Sequence, residues 1–284
     1  RYRVVRELNR GGAAVVYEGL DLEAQARVAL KCHDLRAAER QALERLKREI
    51  LNAQEARHEN VVSLLNAFVD GDCLVLVLEL VEGSDLLGVI NLHGGRLDEA
   101  RARAYFRQLL AAVRGLHASN LCHRDLKPEN CMVCSHTDTL KVIDMGLSKH
   151  LSSARTLGVG TPDYMAPELI TIAGQTAEGG YNAQAADIWS MGATLYLMAA
   201  GRYPFEDDRN PRDLCKTIEN VLLGRFRPLR PGQVSPELED LIGRMLRPKP
   251  QERVRLDEVE RHPWVVGVGA QPPAGGPLLN PDGG

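Results

Sequence analysis

The chain has 284 residues, 44% of them apolar and 26% charged, with a formal net charge of −3. That mix excludes a disordered or fibrous chain, and the near balance of charge gives no electrostatic reason to expect nucleic acid or an anionic membrane as partner. The length suits one bilobal domain or two small ones. Six cysteines are too few for a disulfide framework at this size, which points to a reducing compartment, the cytoplasm or the nucleus as well. The charged opening RYRVVRE does not read as a secretory signal, and the missing initiator methionine reads as a fragment.

In chain order, the segments 1–8, 14–20, 26–34, 60–69 and 73–80 read as strands, with β-branched and leucine runs bounded by turn residues. Between the first two lies ELNRGGAAVVYEG, residues 7–19, with the outline of a glycine-rich phosphate loop. Where G-x-G-x-x-G has its glycines, this loop has Asn9, Gly11 and Ala14. One helix over 37–56 interrupts the strands, with Leu43, Leu46, Ile50 and Ala53 at three- and four-residue spacing.

After VEGSD the pattern turns helical. Asp98 is placed to cap a helix whose apolar stripe is Ala102, Tyr105, Phe106, Leu109, Val113, Leu116 and His117. Further helices are predicted over 183–200, 213–223 and 236–246. The apolar run 185–200 is too short to span a bilayer and carries Asp187, so it reads as a helix buried in protein. Residues 266–284 are rich in Gly and Pro and read as a flexible tail. Cys131 and Cys134 have C-x-x-C spacing, but no second pair follows and residues three apart in a strand point to opposite faces, so neither zinc nor redox chemistry is expected there.

The densest motif is CHRDLKPENCM, residues 122–132. Its H-R-D-L-x-x-x-N outline is that of the catalytic loop of eukaryotic protein kinases. Around it stand VALK at 28–31, Glu49 in LKREIL, HENVV opening a strand at 58, Asp144 in LKVIDMG, GTPDYMAPE at 160–168, DIWSMG at 187–192, and Arg253. In these segments, from about residue 1 to residue 264, the chain resembles that family. The family's D-F-G reads D-M-G here. YPFEDDRNPRDLCKTIENVL and HPWV resemble the calcium/calmodulin-dependent group, and plant stress kinases related to the sucrose-non-fermenting kinase.

The resemblance implies an α+β, two-lobed fold over 1–265: a small antiparallel β lobe (1–81) with one key helix, and a larger helical lobe (82–265). It implies a serine/threonine protein kinase that uses ATP and Mg²⁺. Asp125 then orients the acceptor hydroxyl and takes its proton, Lys127 neutralises the moving phosphoryl group, and a Lys31–Glu49 pair aims at the α- and β-phosphates. Asn130 and Asp144 hold Mg²⁺. Around the nucleotide, Leu8 and Gly11 belong to the loop, Val16 and Ala29 cover adenine from above, and Met132 from below. Leu78 is the gatekeeper, the Glu79 carbonyl and Val81 amide bond the base, and Asp85 reaches the ribose. Gly11 survives, Asn9 tolerates positive φ and Ala14 is small, so the altered loop is expected to weaken ATP contacts without disabling them.

DIWSMG is expected to anchor the catalytic loop, and Arg253 to pair with Glu168. Arg124 implies an activating phosphate, with Thr156 first and Ser152 and Ser153 behind it. Glu129 and Asp85 imply a basic side chain about three residues before the acceptor. The partners expected are protein substrates and an upstream kinase, with no nucleic acid and no membrane. Two other readings stay open. A pseudokinase scaffold would bind without phosphotransfer, and a small-molecule phosphotransferase would lack the GTPDYMAPE segment that builds a peptide groove.

Overall fold

The computed structural model describes residues 1–11, 14–36, 46–47, 50–51, 53–143, 162–173, 182–207, 209–211 and 213–267. Glu49, Asp144, Ser152, Ser153, Thr156 and the segment beyond 267 lie outside the described residues.

The first lobe is an antiparallel sheet of β1 (Tyr2–Arg10), β2 (Val15–Asp21), β3 (Ala26–Asp34), β4 (Leu64–Asp70) and β5 (Cys73–Glu79), in the order β1-β2-β3-β5-β4. Lys31 pairs with Val16 on β2 and Leu76 on β5, while Ala29 pairs with Leu78. Because side chains alternate along a strand, Val16, Ala29, Lys31, Leu76 and Leu78 share one face. Val28, Leu30, Val75 and Val77 share the other and form the small core, with Tyr2, Tyr17 and Phe68 against it.

The strand expected from residue 60 begins only at Leu64. Val61 is fully buried and bridges Val142 in parallel; the Val62 amide donates to the Val142 carbonyl at 2.9 Å and the Val142 amide to the Asn60 carbonyl at 2.8 Å. Those residues stitch the small lobe to the large one rather than extending the sheet.

The second lobe holds a small sheet, β6 (Gly83–Asp85), β7 (Cys131–Cys134) and β8 (Leu140–Val142). Its helices are α1 (Leu86–Leu92), α2 (Glu99–Ala118), α3 (Pro167–Ala173), α4 (Ala183–Ala200), α5 (Leu214–Leu223), α6 (Pro236–Met245), α7 (Leu256–Arg261) and α8 (Pro263–Val266). Four starts are set by side-chain caps, of which Asp98 is the one expected from the sequence: Asp98, Asn182, Asp213 and Ser235 each accept the amide three residues on. Such caps contribute about 1 kcal/mol each.

Helix α4 is buried nearly all round and forms the centre of the lobe, with Trp189 stacked on Phe205 at 5.1 Å. Gly192 lets α6 close in: a Cβ there would stand 2.8 Å from that of Met245. Cys131 is buried and Cys134 half-exposed on opposite sides of β7, and the six cysteines are free. Among the described residues, no helix is long and apolar enough to cross a membrane.

Candidate active site

The described residues expected around the nucleotide are spread over the Lys31 face of the first sheet and the β6–β7–β8 sheet. Lys31 is buried at 8% exposure, and Val16, Ala29 and Leu78 are half-buried beside it in register. Met132 pairs directly with Asp85 across β6 and β7. The residues expected above and below adenine therefore come from two different sheets. Leu8 lies exposed on β1. Glu79 ends β5 with its amide bonded to the Ser63 carbonyl at 3.0 Å and its carboxylate on Lys141 at 2.7 Å, and Val81 follows half-buried.

One expectation needs correction here. Asn9 is extended, paired with Val16 inside β1, so no positive φ is demanded of it. Gly11 donates its amide to the Ala14 carbonyl at 3.0 Å, and a Cβ there would meet only that oxygen, at an ordinary 3.6 Å. Asp85 also has a local role: its Oδ1 accepts the Gly88 amide at 2.7 Å and caps α1.

The catalytic loop is held from below by one carboxylate. Asp187, fully buried in the second turn of α4, accepts the Arg124 amide on Oδ1 at 2.8 Å and the His123 amide on Oδ2 at 3.0 Å. His117 Nε2–H donates to the same Oδ2 at 2.9 Å. The sequence reading placed His117 on the apolar stripe; its position one turn before the loop was the available signal for this bond. Arg124 sits at φ 67°, a left-handed backbone that a non-glycine residue keeps only when its surroundings dictate it.

His123 is fully buried, and its partners fix its tautomer. Ile143 offers a carbonyl, which only accepts, 3.1 Å from Nε2, and Asp125 offers an amide, which only donates, 3.3 Å from Nδ1. The proton is therefore on Nε2. Asn130 donates its side-chain amide to the Asp125 carbonyl at 2.7 Å and to Asp125 Oδ2 at 3.1 Å. Its amide oxygen, the atom a hard cation takes, is what remains for a ligand. Lys127 Nζ lies 3.3 Å from Asp125 Oδ2. The Ile143 amide donates to the Asn130 carbonyl at 2.9 Å, so the last described residue before Asp144 is clamped on both sides.

Beyond the loop, Arg253 and Glu168 meet in a bidentate pair at 2.8 and 3.0 Å, with Arg253 also on the carbonyls of Ala185, Arg247 and Pro248. Glu129 Oε2 is buried without a hydrogen bond from a described residue, near Tyr164 and Tyr203. Burial pushes the Cys131 thiol up to about 12, with Glu129 and Asp85 adding to it.

Residues 2–265 match the family described as protein kinase domain. The chain belongs to the protein kinase family. The kinase domain is 37% identical over 226 residues to the serine/threonine-protein kinase SRK2F of Arabidopsis thaliana, covering 78% of this chain and 63% of that protein. It is 38% identical over 277 residues to CBL-interacting protein kinase 20 of Oryza sativa subsp. japonica, covering 93% of this chain and 57% of the relative. Against the serine/threonine-protein kinase SAPK9 of the same rice, identity is 35% over 269 residues, with 94% and 72% covered. The chain thus spans about three-fifths of the length of the first two relatives. These names agree with the group expected from the sequence and give no support to a scaffold without phosphotransfer.

Proposed function

We propose that this kinase domain is an active serine/threonine protein kinase that transfers the γ-phosphoryl group of ATP to protein hydroxyls, with Mg²⁺ as the metal. The observation that carries the reading is the loop in which Asp125, Lys127 and Asn130 are bonded to one another and anchored by Asp187. Phosphoryl transfer needs positioning and electrostatic stabilisation more than covalent chemistry, and a rigid loop supplies both. Asp125 orients the hydroxyl and accepts its proton; Lys127 faces the charge that develops on the transferred group. Asn130 and Asp144 are the hard-oxygen pair for Mg²⁺, which would neutralise phosphate charge when bound. Lys31, with Glu49 as its partner, serves the phosphates, while Leu8, Gly11, Val16, Ala29, Glu79, Val81, Asp85 and Met132 serve the nucleotide.

The domain is proposed to run over 1–265, its lobes meeting at 81–82, with 266–284 as a tail, and to act in the cytoplasm. Glu129, three residues before Met132, and Asp85, paired with Met132 across β6 and β7, support a preference for a basic side chain before the acceptor, since an arginine meets a carboxylate with two parallel hydrogen bonds. Activation is proposed through a phosphate between Asp144 and Ala166, Thr156 first, laid down by an upstream kinase and read by Arg124.

Phosphorylation of paired peptides with Arg or Ala three residues before the Ser tests the substrate reading. The Arg peptide should have the higher kcat/KM, and Glu129→Gln should shrink the difference. Equal rates on the two peptides would remove these carboxylates from substrate recognition.

A further inference from the structure

Beneath the catalytic loop, His117 Nε2, Cys122 Sγ and a carboxylate oxygen of Asp187 all lie within 4.8 Å of one another. They come from three pieces of chain: the last turn of α2, the segment entering the loop, and the second turn of α4. Imidazole, thiolate and carboxylate together are a donor set for zinc and similar borderline or soft cations. Ligand bonds of about 2.0–2.3 Å around a tetrahedral ion put the donor atoms roughly 3.3–3.7 Å apart, so shifts of about an ångström would close these three on one ion. Cys122 is half-buried and makes no hydrogen bond to a described residue, which leaves its sulfur free to turn and an entry path open.

We propose that His117, Cys122 and Asp187 form a site for a zinc-like divalent cation, whose binding loosens the catalytic loop. Capture balances as follows: the Cys122 thiol releases one proton to solvent, the His117 proton moves from Nε2 to Nδ1, and the carboxylate binds as it stands. No electron changes hands. The cation takes Oδ2 of Asp187, the oxygen that accepts the His117 and His123 hydrogens, and leaves Oδ1 on the Arg124 amide. Occupancy therefore frees the His123 amide selectively. His123 in turn holds the carbonyl of Ile143, so the disturbance reaches the residue before Asp144. That zinc then inhibits phosphotransfer rests on the kinase reading; the binding itself does not.

Cobalt(II) titration of the full, metal-free chain tests the site, because a thiolate ligand gives a charge-transfer band that oxygen and nitrogen ligands lack. One band, displaced by zinc, is expected for the parent and should be lost in both Cys122→Val and Cys122→Ser, with their thermal midpoints unchanged. Amide exchange at His123 should rise about tenfold or more with zinc, and that at Arg124 should rise less. In a parent that transfers phosphate, zinc at constant free Mg-ATP should lower the rate roughly tenfold to a hundredfold, and far less in the Cys122 variants. A parent without the band, or a band that survives loss of Cys122, would overturn the site. An unchanged His123 exchange rate at full occupancy would overturn its link to the loop.

Discussion

Asp163 is fully buried in the segment that precedes α3, with its Oδ1 on the Phe205 amide at 3.3 Å. Burial, with Glu206 adding, pushes its carboxyl from 3.8 up to about 7, while Arg227 pulls the other way. Tyr164 and Tyr203 are the other titratable groups that feel it. A carboxyl raised in the folded state favours the protonated form there. Its contribution is complete below about pH 4 and is lost as pH rises toward 7. Asp163→Asn keeps an acceptor for Phe205 without the charge, so thermal melts should show the variant gaining on the parent between about pH 5 and pH 7.5. Parallel curves over that window would show that Asp163 is ionised in the folded chain.

At the same scale, the loop that carries Asp125, Lys127 and Asn130 was legible because eight motif residues stand in a row. The burial of Asp163 was not, since its partner Phe205 lies far along the chain. Nor was the capping role of Asp85, a bond only three residues long.

Helices that carry their own stop and start signals were read closely. Local caps and an unbroken apolar run set α4, and its observed limits are the expected ones. The start of β4 was misread because what holds Val61 is Val142, which no local pattern announces. Two elements are tied to α4 by charge, and each tie gives a prediction. Arg253 is fully buried, so Glu168→Ala leaves a cation with too few partners and should cost about 3–5 kcal/mol in denaturant unfolding. Adding Arg253→Met should recover part of that loss, and simple additivity would contradict the pairing.

Asp187→Asn keeps one oxygen for the Arg124 amide but turns an NH₂ group toward two donors, His123 N–H and His117 Nε2–H. A loss of about 10²-fold in kcat is expected, with nucleotide affinity held, since an ångström of misplacement has that effect. A variant with parental kcat would show that the loop keeps its shape without this anchor.

Across the whole molecule, the two-lobed arrangement was legible from motif order alone, because the kinase motifs fall in sequence where the fold needs them. The strand register within each lobe depends on pairing no sequence pattern states: Lys31 opposite Val16 and Leu76, and Met132 opposite Asp85. Those pairings set Val16, Ala29, Lys31 and Leu78 on one sheet face and Met132 beside Asp85, and the central claim is that this kinase domain transfers phosphate. Incubation of the parent and of Asp125→Asn with labelled ATP, Mg²⁺ and a mixed peptide library, with nucleotide binding measured on both, tests it directly. The account predicts label on Ser and Thr peptides from the parent, a rate about 10²–10⁴ lower in the variant, and nearly equal ATP affinity in the two. ATP binding with no transfer by the parent above the variant's level would contradict it.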